Sequence, residues 1–200
     1  MFHVEQFMQE FIINNVPHGT IYKNTIMTIE EIKQHIRTVP DFPTQGIMFK
    51  DLTTAFKNAE CMKFFEDAMY NLYKDKGITK IIGIESRGFI MAPILGNKLG
   101  VGFVPVRKKG KLPAETVEVS YTKEYGVDTI QLHKDALTAD DVVLIHDDLL
   151  ATGGTMKAAC ELVRKFGVKK IYVNFLVELD FLNGRNVFDN DIKVDSLIHY

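Results

Sequence analysis

The stretch Val142 to Thr155, VVLIHDDLLATGGT, constrains this chain more than any other. An apolar run there ends in two adjacent carboxylates and then in a Thr-Gly-Gly-Thr turn. Val142 to Ile145 is a short β-branched run of the kind buried in a parallel sheet, so Asp147 and Asp148 are expected at the carboxyl end of a strand. Ligands of open α/β sheets bind at that end. After the acids, Gly153 and Gly154 remove the Cβ atoms that would keep a phosphate from the backbone, and Thr152 and Thr155 supply hydroxyls. Met156 to Phe166 reads as a helix ended by Gly167. Its N-terminus would carry about half a positive charge and several unpaired N–H donors, which suits a phosphate dianion.

A strand, a turn and a helix can serve packing alone, with the acids as solvated loop charges. Two acids, two threonines and two glycines within the nine residues Asp147 to Thr155 favour a site instead. The segment is not a Walker A loop, because no Gly-Lys-Ser/Thr follows, and no G-x-G-x-x-G opens the helix. Kinase, GTPase and dinucleotide readings therefore fall away. The net charge of −2 provides no global field for nucleic acid or an anionic membrane. Any basic site must be local. Cys61 and Cys160 lack CxxC spacing and nearby His partners, so they read as reduced, apolar residues of a cytoplasmic protein. No apolar run approaches the ~18 residues of a membrane span.

Strand candidates at Lys80 to Ile84, Val101 to Val106, Val142 to Ile145, Ile171 to Val177 and Val194 to Ile198 are mostly separated by helical patterns. Such alternation implies right-handed βαβ units and a mostly parallel, doubly wound sheet. Two hundred residues with 46% hydrophobic content suit one domain. Thr28 with Glu31 forms a capping box opening a helix, on which Ile29, Ile32, Ile36 and Val39 make one apolar stripe. Asn58 starts a second helix. Lys109 to Leu132 break the alternation and read as two antiparallel strands around a turn near Glu124 to Asp128. Excursions of that length are usually functional or disordered. Phe2, Phe7, Met8 and Phe11 fall near helical spacing in residues 1–26, which read equally as a functional arm or as the product of start-site assignment ahead of Met27.

DDLLATGGT resembles the 5-phosphoribosyl-1-pyrophosphate (PRPP) motif of the type I phosphoribosyltransferases, most nearly those acting on adenine. Four further segments match in order: PDFPTQGIMFKDLT (Pro40 to Thr53), GIESRGF (Gly83 to Phe89), VPVRKKGKLP (Val104 to Pro113) and YTKEYG (Tyr121 to Gly126). The resemblance covers residues 27–200. It implies a mostly parallel doubly wound sheet with a small hood and a mobile antiparallel loop. The implied reaction transfers the phosphoribosyl group from PRPP to adenine, giving AMP and pyrophosphate in purine salvage. It also implies Mg²⁺ and a homodimer.

Carried onto this sequence, the resemblance assigns the 5-phosphate to Ala151, Thr152, Gly153, Gly154 and Thr155. The ribose hydroxyls go to Asp147 and Asp148, which would touch Mg²⁺ only weakly or indirectly. Glu85, Ser86, Arg87, Arg107, Lys108 and Lys111 fall to pyrophosphate, with Arg87 and Lys108 aiding its departure, while Lys109 faces water. Glu124 is expected to exchange a proton with N7 of the base. Met48, Phe49 and Lys50 fall to adenine, with Phe49 stacking on the ring and backbone groups reading its edge. Lys50 stands for the family's usual Arg, Gln45 for a common Pro, and His146 for an apolar residue, with no role assigned to it. The competing readings are a 6-oxopurine or orotate enzyme and a non-catalytic PRPP sensor. Ala151 stands where 6-oxopurine enzymes usually carry an acid, and Met1 to Val39 offers no nucleic-acid reading unit.

Overall fold

The computed structural model describes residues 27–123 and 126–200. Expectations for residues 1–26, Glu124 and Tyr125 lie outside these. Thr28 opens α1 (Ile29–His35) with the expected capping box: its hydroxyl accepts from the Glu31 N–H, and the Glu31 carboxylate accepts from the Thr28 N–H. The expected helical stripe fails at its end. Val39 lies in β1 (Arg37–Pro40), because a residue preceding proline is driven out of the helical region. β1 pairs antiparallel with β2 (Met48–Asp51) to make a hairpin hood, pinned by Arg37 on Asp51 at 2.5 Å. The Thr53 hydroxyl and Arg37 hold the Asp51 carboxyl down to about 2.

After α2 (Thr53–Phe56), Asn58 caps α3 (Ala59–Tyr73) by accepting from the N–H groups of Glu60 and Cys61. The body then runs β3 (Lys80–Ile84), α4 (Gly88–Leu99), β4 (Gly102–Lys108), β5 (Thr116–Lys123), β6 (Gly126–His133), β7 (Val142–Leu150), α5 (Gly154–Arg164), β8 (Lys170–Glu178) and β9 (Lys193–His199). Among the described residues the main sheet has the order β5-β6-β4-β3-β7-β8-β9. Strands β4, β3, β7, β8 and β9 are parallel, and β6 joins β4 antiparallel with β5 beyond it. Chain order leaves β3 in one direction toward β4 and in the other toward β7. The switch point for ligand binding therefore falls between the ends of β3 and β7.

Side-chain alternation divides the core into two layers. Leu144, Tyr172 and Leu176 join the cluster containing Phe65 of α3 and Leu95 of α4. Val143, Ile145, Val173 and Phe175 join the cluster containing Met156 and Leu162 of α5. Helices thus cover both sheet faces, as a parallel sheet requires. The strand expected over Val142 to Ile145 continues to Leu150, because eight of its residues pair with β8, whose residues beyond Lys170 are all buried. The helix expected from Met156 starts two residues earlier, at Gly154.

Candidate active site

Pairing of β7 with β3 ends at Gly83↔His146, while pairing with β8 continues beyond it. Asp147 and Asp148 therefore stay in a strand but open toward the end of β3. Asp148 is only 2% exposed, not a solvated loop charge, while Asp147 is half-buried. Arg87 Nε lies 2.6 Å from Asp148 Oδ2, an ion pair whose alignment falls outside hydrogen-bond geometry. Asp147 Oδ1 accepts from the Asp148 N–H at 2.9 Å. Burial and the adjacent Asp148 charge push the Asp147 carboxyl well above the usual carboxylate range. Burial raises Asp148 as well, against the pull of Arg87. A Cβ on Gly88 would lie 2.7 Å from the His146 carbonyl and 3.2 Å from Asp147 Oδ1. Only glycine lets the start of α4 pack this closely beside the acids.

Ala151 to Thr155 wrap the start of α5, with Gly153 as the N-cap residue in the left-handed region at φ 82°. Gly153 has no side chain with which to cap this helix, and Gly154, Thr155 and Met156 of its first turn line a pocket. That pocket, about 110 Å³, is lined by Asp147, Ala151, Thr152, Gly153, Gly154 and Thr155 among others. The two glycines act differently. A Cβ on Gly153 would come within 2.6 Å of the Gly184 carbonyl and 2.7 Å of Val187, whereas one on Gly154 would meet open space. Gly154 keeps the ligand side clear, and Gly153 meets a brace behind the loop that sequence reasoning missed. The brace is the 3-10 turn Gly184–Val187, where a Cβ on Gly184 would lie 2.2 Å from the Ala151 carbonyl.

Across the switch point, Glu85 gathers the cations. Arg107 Nε donates to its carboxylate at 2.9 Å, the Lys108 N–H at 3.0 Å and Lys111 Nζ at 2.6 Å. Burial favours the neutral acid, but these donors bring Glu85 down to about 2. Its carboxylate is thus engaged with the cations that sequence reasoning had placed beside it. Lys108 Nζ reaches to 3.8 Å from Asp128, and Lys109 pairs with Glu118 at 3.0 Å instead of facing water alone. Gln131, also missed, is 7% exposed and ties the Gly110 N–H to Glu118. Ser86 is exposed between Glu85 and Arg87.

The hood supplies an aromatic wall. Phe49 meets Phe42 edge-on at 5.1 Å, and the Arg87 guanidinium lies 5.5 Å from its ring centre. Arg87 therefore links Phe49 to the acid pair. Met48 is exposed beside it, while the Lys50 ammonium turns aside to Thr38 and the Tyr200 ring. His146 is fully buried, with Nδ1 2.9 Å from Asn174 Oδ1, and burial depresses it to about 4. It is a neutral core residue at pH 7. Glu124 and its neighbour Tyr125 lie outside the described residues; the flanking ladder closes at Lys123↔Gly126.

A doubly wound sheet with an acid pair and a glycine-braced helix start facing a gathered set of cations at its switch point defines a phosphosugar-binding α/β protein. The Phosphoribosyl transferase domain family model matches residues 55–192. The chain is 65% identical over 170 residues to an adenine phosphoribosyltransferase of Bacteroides fragilis, covering 85% of this chain and 96% of that protein. Its structure is similar to the APRTase of Giardia lamblia complexed with 9-deazaadenine, with TM-score 0.81 and 43% identity, covering 87% of this chain and 98% of that one. It is also similar to an adenine phosphoribosyl transferase from Trypanosoma brucei in complex with AMP, pyrophosphate and ribose-5-phosphate (TM-score 0.79, 26% identity, 85% and 78% covered). The chain belongs to the adenine phosphoribosyltransferase family.

Proposed function

We infer that this protein transfers the 5-phosphoribosyl group of PRPP to adenine, releasing pyrophosphate and forming AMP. The observation that carries the reading is the convergence of Asp147–Asp148, the Ala151–Thr155 loop and the Glu85-gathered cations at one switch point, under Phe49. In this reading the bond from adenine N9 to ribose C1 forms as the bond from C1 to the pyrophosphate oxygen breaks. Arg107, Lys108 and Lys111 offset the charge developing on the departing diphosphate, together with Arg87 once it turns from Asp148. Backbone N–H groups of the α5 start hold the 5-phosphate, and the two acids accept from the ribose hydroxyls. The base stacks on Phe49, with backbone groups of Met48 to Lys50 reading its edge. Ala151 leaves no acid at the start of the phosphate loop, which favours adenine over 6-oxopurines. Proton exchange at N7 then falls to Glu124.

Mg²⁺ fits this site, because two neighbouring carboxylates raised by burial and mutual repulsion are the kind of pair that a divalent cation relieves. Bound there, it would neutralise diphosphate charge, with Asp147 and Asp148 as its weak or indirect protein partners. The family kinship supports a homodimer and a cytoplasmic enzyme. Among the described residues no helix is long and apolar enough to cross a membrane. Residues 27–200 hold every matched motif and are read as one catalytic domain.

Incubating the protein with PRPP, Mg²⁺ and each purine base tests the assignment. AMP from adenine is expected, and turnover of hypoxanthine or guanine with none of adenine overturns it. In the same assay Glu124→Gln should lower kcat by about 10²- to 10⁴-fold with PRPP affinity little changed. An unchanged single-turnover rate removes Glu124 from the mechanism.

A further inference from the structure

The β5–β6 hairpin does more than flank the site. It lies on α5, where Val119 shares an apolar cluster with Met156, Ala159 and Leu162, and Lys165 Nζ donates to the Glu118 carbonyl at 2.7 Å. One side chain of this hairpin reaches the phosphate loop itself: the Tyr121 hydroxyl donates to Thr155 Oγ1 at 3.2 Å. The Tyr121 ring packs against the same apolar cluster, so the phenol arrives on a braced stem.

We propose that Tyr121 is a positioning residue for the 5-phosphate, acting through the hydroxyl of Thr155. The inference rests on reading Ala151–Thr155 as the phosphate loop. A threonine hydroxyl has one proton and two lone pairs. In a helix that proton commonly bonds back to the carbonyl four residues earlier. For Thr155 that carbonyl belongs to Ala151, which lies ahead of the helix and packs against Gly184. Tyr121 fills one lone pair of Thr155, restricting where the remaining proton can point, and polarises the O–H through the chain of hydrogen bonds. The hydroxyl becomes a directed donor beside the N–H groups of the α5 start, where a phosphate oxygen is the matching acceptor. A ligand without a phosphate gains nothing from this arrangement.

The test uses Tyr121→Phe, Thr155→Val and the double variant of the full chain, with AMP and adenosine binding measured by calorimetry or competition. A single net hydrogen bond corresponds to about a three- to tenfold change in affinity. Tyr121→Phe should weaken AMP by that factor and raise the KM for PRPP in parallel, with kcat changing less and adenosine binding unchanged. In the Thr155→Val background the tyrosine change should add nothing. The proposal is overturned if Thr155→Val weakens AMP but Tyr121→Phe does not, if adenosine loses as much as AMP, or if the two losses simply multiply in the double variant. If Thr155→Val itself leaves AMP binding untouched, Thr155 is no phosphate ligand, and the inference falls with that assignment.

Discussion

The two ends of this cleft proposed to bind anions are built from different materials. At the start of α5 the polar lining of the pocket is backbone, the threonine hydroxyls and Asp147, with no lysine or arginine among its described lining residues. Across the switch point, Arg107 and Lys111 supply charge from flexible side chains gathered on Glu85, which also accepts from the Lys108 backbone N–H. The difference matches what each end would hold. The 5-phosphate is common to PRPP and AMP and stays throughout, so fixed donors serve it at no cost in reorganisation. Pyrophosphate must leave. Cations that can return to a waiting carboxylate bind an anion without trapping it.

The largest effect is expected from breaking the rigid end. Alanine at Gly153 would sit in the left-handed region and press on the Gly184 carbonyl. Strain and overpacking together should cost about 3 kcal/mol, lowering Tm by about 6–12 °C and abolishing AMP binding. Gly154→Ala sharpens the contrast, since its methyl meets open space on the ligand side: Tm should hold while AMP affinity falls. Equal thermal losses in both variants would mean that the loop has no rigid back.

At the flexible end, Glu85→Gln removes the charge that gathers the cations. With the competing carboxylate gone, the expected result is a lower KM for pyrophosphate in the reverse reaction, with AMP binding little changed. Stability adds a pH signature. The Glu85 carboxyl lies at about 2 against an ordinary 4.5, so its contribution is present above the ordinary value and is lost as pH falls through about 2. The variant should therefore be less stable than the parent by about 2 kcal/mol at pH 7, and the gap should narrow progressively below pH 4.5 in denaturant titrations. A gap independent of pH would deny Glu85 this role.

Between the ends, Asp147→Asn relieves a like-charge pair while keeping an oxygen for the Asp148 N–H. Metal-free protein should gain about 1 kcal/mol, or about 2–4 °C in Tm, while the KM for PRPP rises. A loss of stability would show that the charge itself supports the fold. Least should come from deleting residues 1–26: activity and Tm should match the full chain, and loss of active protein would extend the domain upstream of Met27.

Much of this was legible locally. The Thr28–Glu31 capping box, the Asn58 cap and the Lys80–Ile84 strand need only neighbouring residues, and they stand where the sequence puts them. The acid pair and glycine turn also fall at the expected strand-to-helix junction. What was not legible depends on distant partners. The length of β7 is set by β8, and with it the burial of Asp148. The pairing of Lys109 with Glu118 depends on how the β5–β6 hairpin folds back. Glu85 reads as one more phosphate-site residue until Arg107 and Lys111 are seen to meet on it. Val39 shows the reverse error, a helical stripe extended one turn too far across a proline signal at Pro40.

The contact between Gly184 and Ala151 bears on how such a site could be moved or altered. A graft of DDLLATGGT onto another parallel sheet would carry the donors but not the turn that supports them from behind, so the transplanted loop would be free to sag away from its ligand. The portable unit is discontinuous, with residues 147–155 and 183–187 as two halves of one part. A bulkier residue in either half calls for a matching retreat in the other. Libraries aimed at new phosphorylated ligands should vary the two segments jointly, since changes in one alone will mostly sample collapsed loops.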